Sequence, residues 1–188
     1  MNNDQYYLEK VLISPGDIVE AGTSYKAKYM FSDSMFGAGV DEYLEKRLTG
    51  KSASTFVYVY DFASNNSVTK YFDHDDFYYG VAHCDDIEIF FPGFLWDQEI
   101  PSENLDIMRE SLGKMWINFA TYGDPTPGNA EIKWESTNKY PWNHARLGTL
   151  ESNKLVVLKN ENGYARSRYE LWKNLKPHIG CISYGIYV

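Results

Sequence analysis

Thr55-Phe56-Val57-Tyr58-Val59-Tyr60-Asp61-Phe62 is a run of β-branched and aromatic residues without polar alternation. A strand with one wet face alternates apolar and polar side chains. This run therefore predicts a strand covered on both faces, as in a parallel sheet flanked by helices. Upstream, Met35, Phe36, Val40, Tyr43, Leu44 and Leu48 recur at three- and four-residue intervals, which predicts a helix from Asp33 that Gly50 closes. Residues 1–32 are polar, carry Pro15-Gly16 and Ala21-Gly22, and read as loop. Downstream, 63–69 reads as a polar loop and 70–84 as irregular and aromatic. Asp85–Phe91 starts with acids and turns apolar, which suits a short helix before Pro92-Gly93. The clearest helix is Pro101–Ala120: Ser102 can cap it, and Leu105, Met108, Leu112, Met115, Trp116 and Phe119 form one face. Gly123 and Pro125 end it. Residues 124–150 read as a loop rich in Pro, Asn and Trp. Lys154–Lys159 reads as a second strand and Tyr164–Leu175 as a last helix, stopped by Pro177. Strands interleaved with helices predict the α/β class.

The 188 residues suit one ordinary domain, and a 44% hydrophobic and 16% aromatic content suits a packed core. With 18 basic against 26 acidic residues the formal charge is -8, which repels phosphate backbones and argues against nucleic acid as a partner. No apolar run of about 18 residues occurs, so no membrane span is expected. Met1–Gln5 lacks the start of a signal peptide, and localisation stays open because a leader could lie elsewhere. Cys84 and Cys181 form no Cys-x-x-Cys, and their disulfide state stays open; Asn65-Asn66-Ser67 is a glycosylation sequon that matters only in a secreted protein.

The four histidines, His74, His83, His144 and His178, show no metal-ligand spacing. Gly80-Val81-Ala82-His83-Cys84-Asp85-Asp86 places His83 on a small-residue loop ahead of a helix, where a sheet often carries a catalytic group. Its plainer role is to cap that helix. No Gly-x-Ser-x-Gly occurs anywhere. Cys84 adjoins His83, but sequence neighbours on a loop point apart, so a small buried hydrophobe is the expected role. Asp75-Asp76 and Asp85-Asp86 read as solvated caps, and the five tryptophans as core or interface anchors. There is no Gly-rich phosphate cradle.

Gly80–His83 followed by two acids and the apolar Ile87–Phe91 resembles the catalytic-histidine segment of type-B carboxylesterases and cholinesterases. Met115-Trp116-Ile117-Asn118-Phe119-Ala120-Thr121-Tyr122-Gly123-Asp124-Pro125 is similar to that family's Trp, Asn-Phe-Ala and Gly-Asp-Pro signature. Trp134 and Pro141 resemble its following loop, Leu155–Leu158 its last strand, and Arg168, Trp172 and Leu175 its closing helix. Ser32-Asp33, Phe36 and Phe56–Phe62 resemble the preceding helix and strand.

The resemblance implies the C-terminal part of an α/β-hydrolase fold: an incomplete, mostly parallel sheet with flanking helices over residues 25–176. Residues 1–24 are unassigned, and the tail 177–188 is unmatched. It implies small-molecule carboxylic esters as substrates and no metal or organic cofactor. In a Ser-Glu/Asp-His triad, His83 would be the general base. The serine elbow, the oxyanion glycines and the acid motif are absent from these residues, so the chain is expected to be inactive alone and to need the rest of the hydrolase domain for stable folding. An isolated chain is expected to be poorly soluble, molten or dependent on a partner fragment. The alternative is part of a non-catalytic cholinesterase-like protein used for adhesion or partner binding.

Overall fold

The structure, a computed structural model, describes residues 30, 32–50, 53–69, 80–91, 93, 100–138, 140–163 and 166–175. The chain divides into two compact units, Met1–Ser52 with Ala165–Val188, and Ala53–Tyr164. No helix among the described residues is long and apolar enough to cross a membrane.

In the second unit the elements are β1 (Tyr58–Tyr60), α2 (Ile87–Phe90), α3 (Glu103–Tyr122), β2 (Asn143–Glu151) and β3 (Lys154–Asn162). The sheet order is β1-β2-β3; β1 runs parallel to β2, and β2 antiparallel to β3. The predicted strand over 55–62 is thus realised as a three-residue ladder. Backbone bonds lengthen it, from Ala145 N–H to the Val57 carbonyl and from Asp61 N–H to the Leu147 carbonyl, both 2.8 Å. Phe56 and Tyr58 meet Phe119 and Trp116 edge to face, with ring centroids 5.8 and 5.3 Å apart. Among the described residues β1 is paired along one edge only, and Tyr58 is about one-third exposed, the rest of its side chain being covered.

The loop expected over 124–150 is corrected by β2. Asn143, His144, Arg146 and Gly148 carry little strand propensity of their own, and the ladder with β3 decides their conformation. Ser152 and Asn153, at φ 49° and 63°, form the two-residue turn between these strands, and the left-handed backbone matches the twist of a hairpin. Arg146 anchors the pairing sideways: its Nε donates to Glu161 at 2.9 Å and its Nη1 to Asp61 at 3.1 Å.

Helix α3 forms where the apolar spacing places it. The Ser102 hydroxyl accepts from Leu105 N–H at 3.2 Å, a cap that contributes about 1 kcal/mol. Leu105, Met108 and Leu112 are fully buried with Phe62, Ile89, Trp134, Ala145, Leu147 and Leu158. Met108 reaches the sheet because Gly148, at φ 80°, has no side chain there; a Cβ would lie 2.7 Å from Met108 Cε and would also strike Phe62 Cβ.

The described part of the first unit contains a π-helical turn (Asp33–Gly37) leading into α1 (Ala38–Leu48), and α4 (Arg166–Leu175). Asp33 is buried and takes a two-pronged ion pair from Arg168, at 2.7 Å from Nε and 3.3 Å from Nη2. Tyr169 packs on Gly37, where a Cβ would come within 2.6 Å of its ring. The face turned inward thus runs through Asp33, Gly37, Asp41 and Leu44. Met35, Phe36, Val40 and Tyr43, whose spacing predicted the helix, stay exposed.

Gly148→Ala combines left-handed strain with overpacking, and we expect a loss of about 2–4 kcal/mol in urea unfolding. A loss under 0.5 kcal/mol would show that Met108 does not need the gap. His144 is buried in β2, and burial lowers its imidazole pKa below the usual histidine value. The folded state then binds fewer protons than the unfolded chain. This contribution is fully present above the ordinary histidine pKa, about 6.5, and is lost as pH falls from there through the depressed folded value. Melting curves at pH 7 and pH 5 should show a larger fall for wild type than for His144→Gln; equal falls would refute the assignment.

Candidate active site

The chain leaves β1 through Asp61 and Phe62, turns at Asn65-Asn66, and passes Ser67, Val68 and Thr69. Asn66 is buried and fixes this exit: its amide donates to the Ile100 carbonyl at 3.0 Å and accepts from Ile100 N–H at 2.8 Å. The segment carrying His83 is described from Gly80. His83 is exposed, while Asp85 two residues on is 5% exposed.

Asp85 Oδ2 accepts from Ser67 Oγ and from Ala82 N–H, each at 2.8 Å, and Oδ1 accepts from Val68 N–H at 2.7 Å. Asp86 Oδ2 accepts from the Tyr58 hydroxyl at 2.8 Å. Burial first, then the nearby Asp86 carboxylate, pushes the Tyr58 phenol well above its ordinary pKa, so it stays a protonated donor. Tyr60 is shifted the same way, by burial and then by Asp85 and Asp86. The reading of Asp85-Asp86 as solvated caps is therefore corrected. Burial turns Asp85 inward to three donors, and Asp86, although at the N-cap of α2, makes no capping bond.

Arg109 on α3 donates from Nε to the Ile89 carbonyl at 3.0 Å, holding α2 from its far end. Cys84, between His83 and Asp85, has φ 76°, a conformation that costs a side-chain-bearing residue about 1–2 kcal/mol. Its thiol is not in a disulfide. The loop is thus tied to β1, to the exit from β1 and, through α2, to α3, with the imidazole on its outer side.

The other candidates lie apart from this loop or beyond the described residues. His144 sits within β2, its Nε2 3.8 Å from Glu161. His74, His178, Cys181 and Asp75-Asp76 lie outside the described residues. Among the described residues no group of three or more His, Cys, Asp or Glu could hold a metal ion. Trp116 and Trp134 pack together at 5.9 Å and line a cavity of about 190 Å³ with Phe56, Tyr58, Met115, Phe119 and Pro125. The motif at the end of α3 also has a local cause. Gly123, at φ 70°, returns its N–H to the Phe119 carbonyl at 2.8 Å, and the Asn118 amide reaches the Pro125 carbonyl at 3.2 Å. Asp124 accepts from Thr126 N–H at 2.8 Å, and Thr126 Oγ1 accepts from Trp134 N–H at 3.0 Å.

The residues that sequence reasoning missed are Ser67, Tyr58 and Arg109. Nothing in their local pattern marks them, because each acts on a segment 18 or more positions away. A model of the carboxylesterase family matches residues 7–172. The juvenile hormone esterase of Tribolium castaneum is 27% identical over 115 residues, which are 58% of this chain and 19% of that protein. The chain thus spans about a fifth of the curated relative it matches.

Relief of the strain at residue 84 should outweigh the extra freedom that glycine gives the unfolded chain. Cys84→Gly should therefore raise unfolding stability by about 0.5–1 kcal/mol, whereas Cys84→Val should lower it. A Gly variant no more stable than wild type in urea titration would contradict the left-handed backbone.

Proposed function

The chain belongs to the carboxylesterase family, and from that premise we propose that it is the histidine-bearing portion of a serine hydrolase acting on small-molecule carboxylic esters. His83 is the general base of a Ser-Glu/Asp-His triad. The observation that carries this reading is the exposed His83 on a loop fixed by buried Asp85 on one side and Tyr58–Asp86 on the other. A base must keep its position while its surface stays open to a hydroxyl and a substrate.

His83 accepts the proton of a serine hydroxyl as that oxygen adds to the ester carbonyl. It then returns the proton to the departing alkoxide, leaving an acyl-serine. Water repeats the sequence: His83 takes its proton, the hydroxyl adds to the acyl carbon, and the proton goes back to the serine oxygen. The acid is released and the enzyme restored.

The nucleophile comes from hydrolase residues outside these 188, which contain no Gly-x-Ser-x-Gly. We place this carboxylesterase portion over residues 25–176. Further hydrolase residues would cover the apolar surface that Phe91, Ile117 and Tyr122 present to solvent, each about two-thirds exposed. Their presence should make the chain more soluble and better folded.

Purified chain and a His83→Ala variant should both hydrolyse p-nitrophenyl acetate no faster than a protein blank, because loss of the nucleophile removes nearly all triad catalysis. Turnover by wild type that the variant lacks would place a nucleophile within these residues and end the reading. In a longer protein that supplies the serine, His83→Ala should lower kcat on the order of 10⁶-fold.

A further inference from the structure

We infer that Asp85 is the positioning residue of the candidate site, clamping the peptide before His83 onto the segment that leaves β1. The inference rests on the reading of His83 as the base and adds the group that holds it in place. Three neutral donors converge on one buried carboxylate: Ser67 Oγ, Val68 N–H and Ala82 N–H. Ala82 immediately precedes His83, while Ser67 and Val68 lie on the strand exit that Asn66 fixes to Ile100. The carboxylate therefore transmits the position of the sheet to the imidazole-bearing peptide across 17 and 18 residues of sequence.

The backbone at Cys84 shows why such a clamp is needed. A side-chain-bearing residue at φ 76° persists only when its surroundings over-determine it. Asp85 supplies that constraint: its side chain holds Ala82, and its own N–H returns to the Ala82 carbonyl at 3.2 Å. The turn continues with Ile87 N–H to the Cys84 carbonyl at 3.0 Å. Without the carboxylate the turn keeps its weak local bonds but loses its tie to the strand exit. The loop can then relax to an unstrained backbone that points His83 elsewhere.

An Asp85→Asn change keeps the shape and replaces one acceptor oxygen with a donor, so the side chain can no longer receive all three donors. In the full chain, amide exchange at Ala82 and Val68 should quicken on the order of tenfold or more, and the His83 ring resonances should move toward those of an unstructured histidine. Ala145 N–H, bonded to Val57 within the sheet, and the His144 ring serve as internal references and should not move. Ser67→Ala removes one donor and leaves both amide bonds, so its His83 resonances should stay near wild type.

Unchanged Ala82 exchange and His83 resonances in Asp85→Asn would overturn the inference. So would Ala145 exchange rising in step with Ala82, because Asp85 would then support the fold at large. These readouts follow the loop and not ester hydrolysis, so a failure of the base assignment in the hydrolysis assay leaves them standing.

Discussion

Met108 is 0% exposed, enclosed by Phe62 and by the bare backbone of Gly148. That seat lets α3 lie close enough to the sheet for Leu105 and Leu112 to be buried beside it, and for Leu147 and Leu158 to be covered. A helix that long gains little from propensity alone; its apolar stripe must find a surface. That surface is made by Phe62, Ile89, Trp134, Ala145, Leu147 and Leu158, and Gly148 leaves room in it for Met108. The side chain missing at Gly148 leaves the room in which Met108 and Phe62 pack, since a Cβ there would collide with both.

The candidate site depends on the same arrangement. Arg109 lies one residue beyond Met108 on α3 and reaches back to the Ile89 carbonyl, so the seating of Met108 also locates α2. From the other side, β1 presents Tyr58 to Asp86, and the segment after β1 presents Ser67 and Val68 to Asp85. The loop that carries His83 is suspended between these points. The three donors to Asp85 are neutral, and their hydrogen bonds offset the cost of burying its carboxylate.

Membership in the carboxylesterase family agrees with this economy of parts. A triad histidine comes last in the chain order of these hydrolases, and the proposed role of His83 as base rests on that order. Phe91, Ile117 and Tyr122 lie open to solvent while the core behind them is closed.

The sequence alone determined the α/β class, the helix read over Pro101–Ala120 and observed over Glu103–Tyr122, and the strand read over Lys154–Lys159, because apolar period, caps and terminators act within a few residues. It also pointed to His83 through an ordered set of family motifs. It did not reveal β2, whose Asn, His, Arg and Gly become a strand only when β1 and β3 supply partners on either side. It showed that 33–48 is a helix but not which face turns inward, since a buried Asp33–Arg168 pair and the close approach of Tyr169 to Gly37 outweigh the apolar stripe. Nor could it show that Asp85 is interior and Asp86 tied to a tyrosine. Two adjacent carboxylates look alike in sequence; only the three-dimensional arrangement of donors, drawn from segments 17 to 28 residues away as well as from the loop itself, separates them.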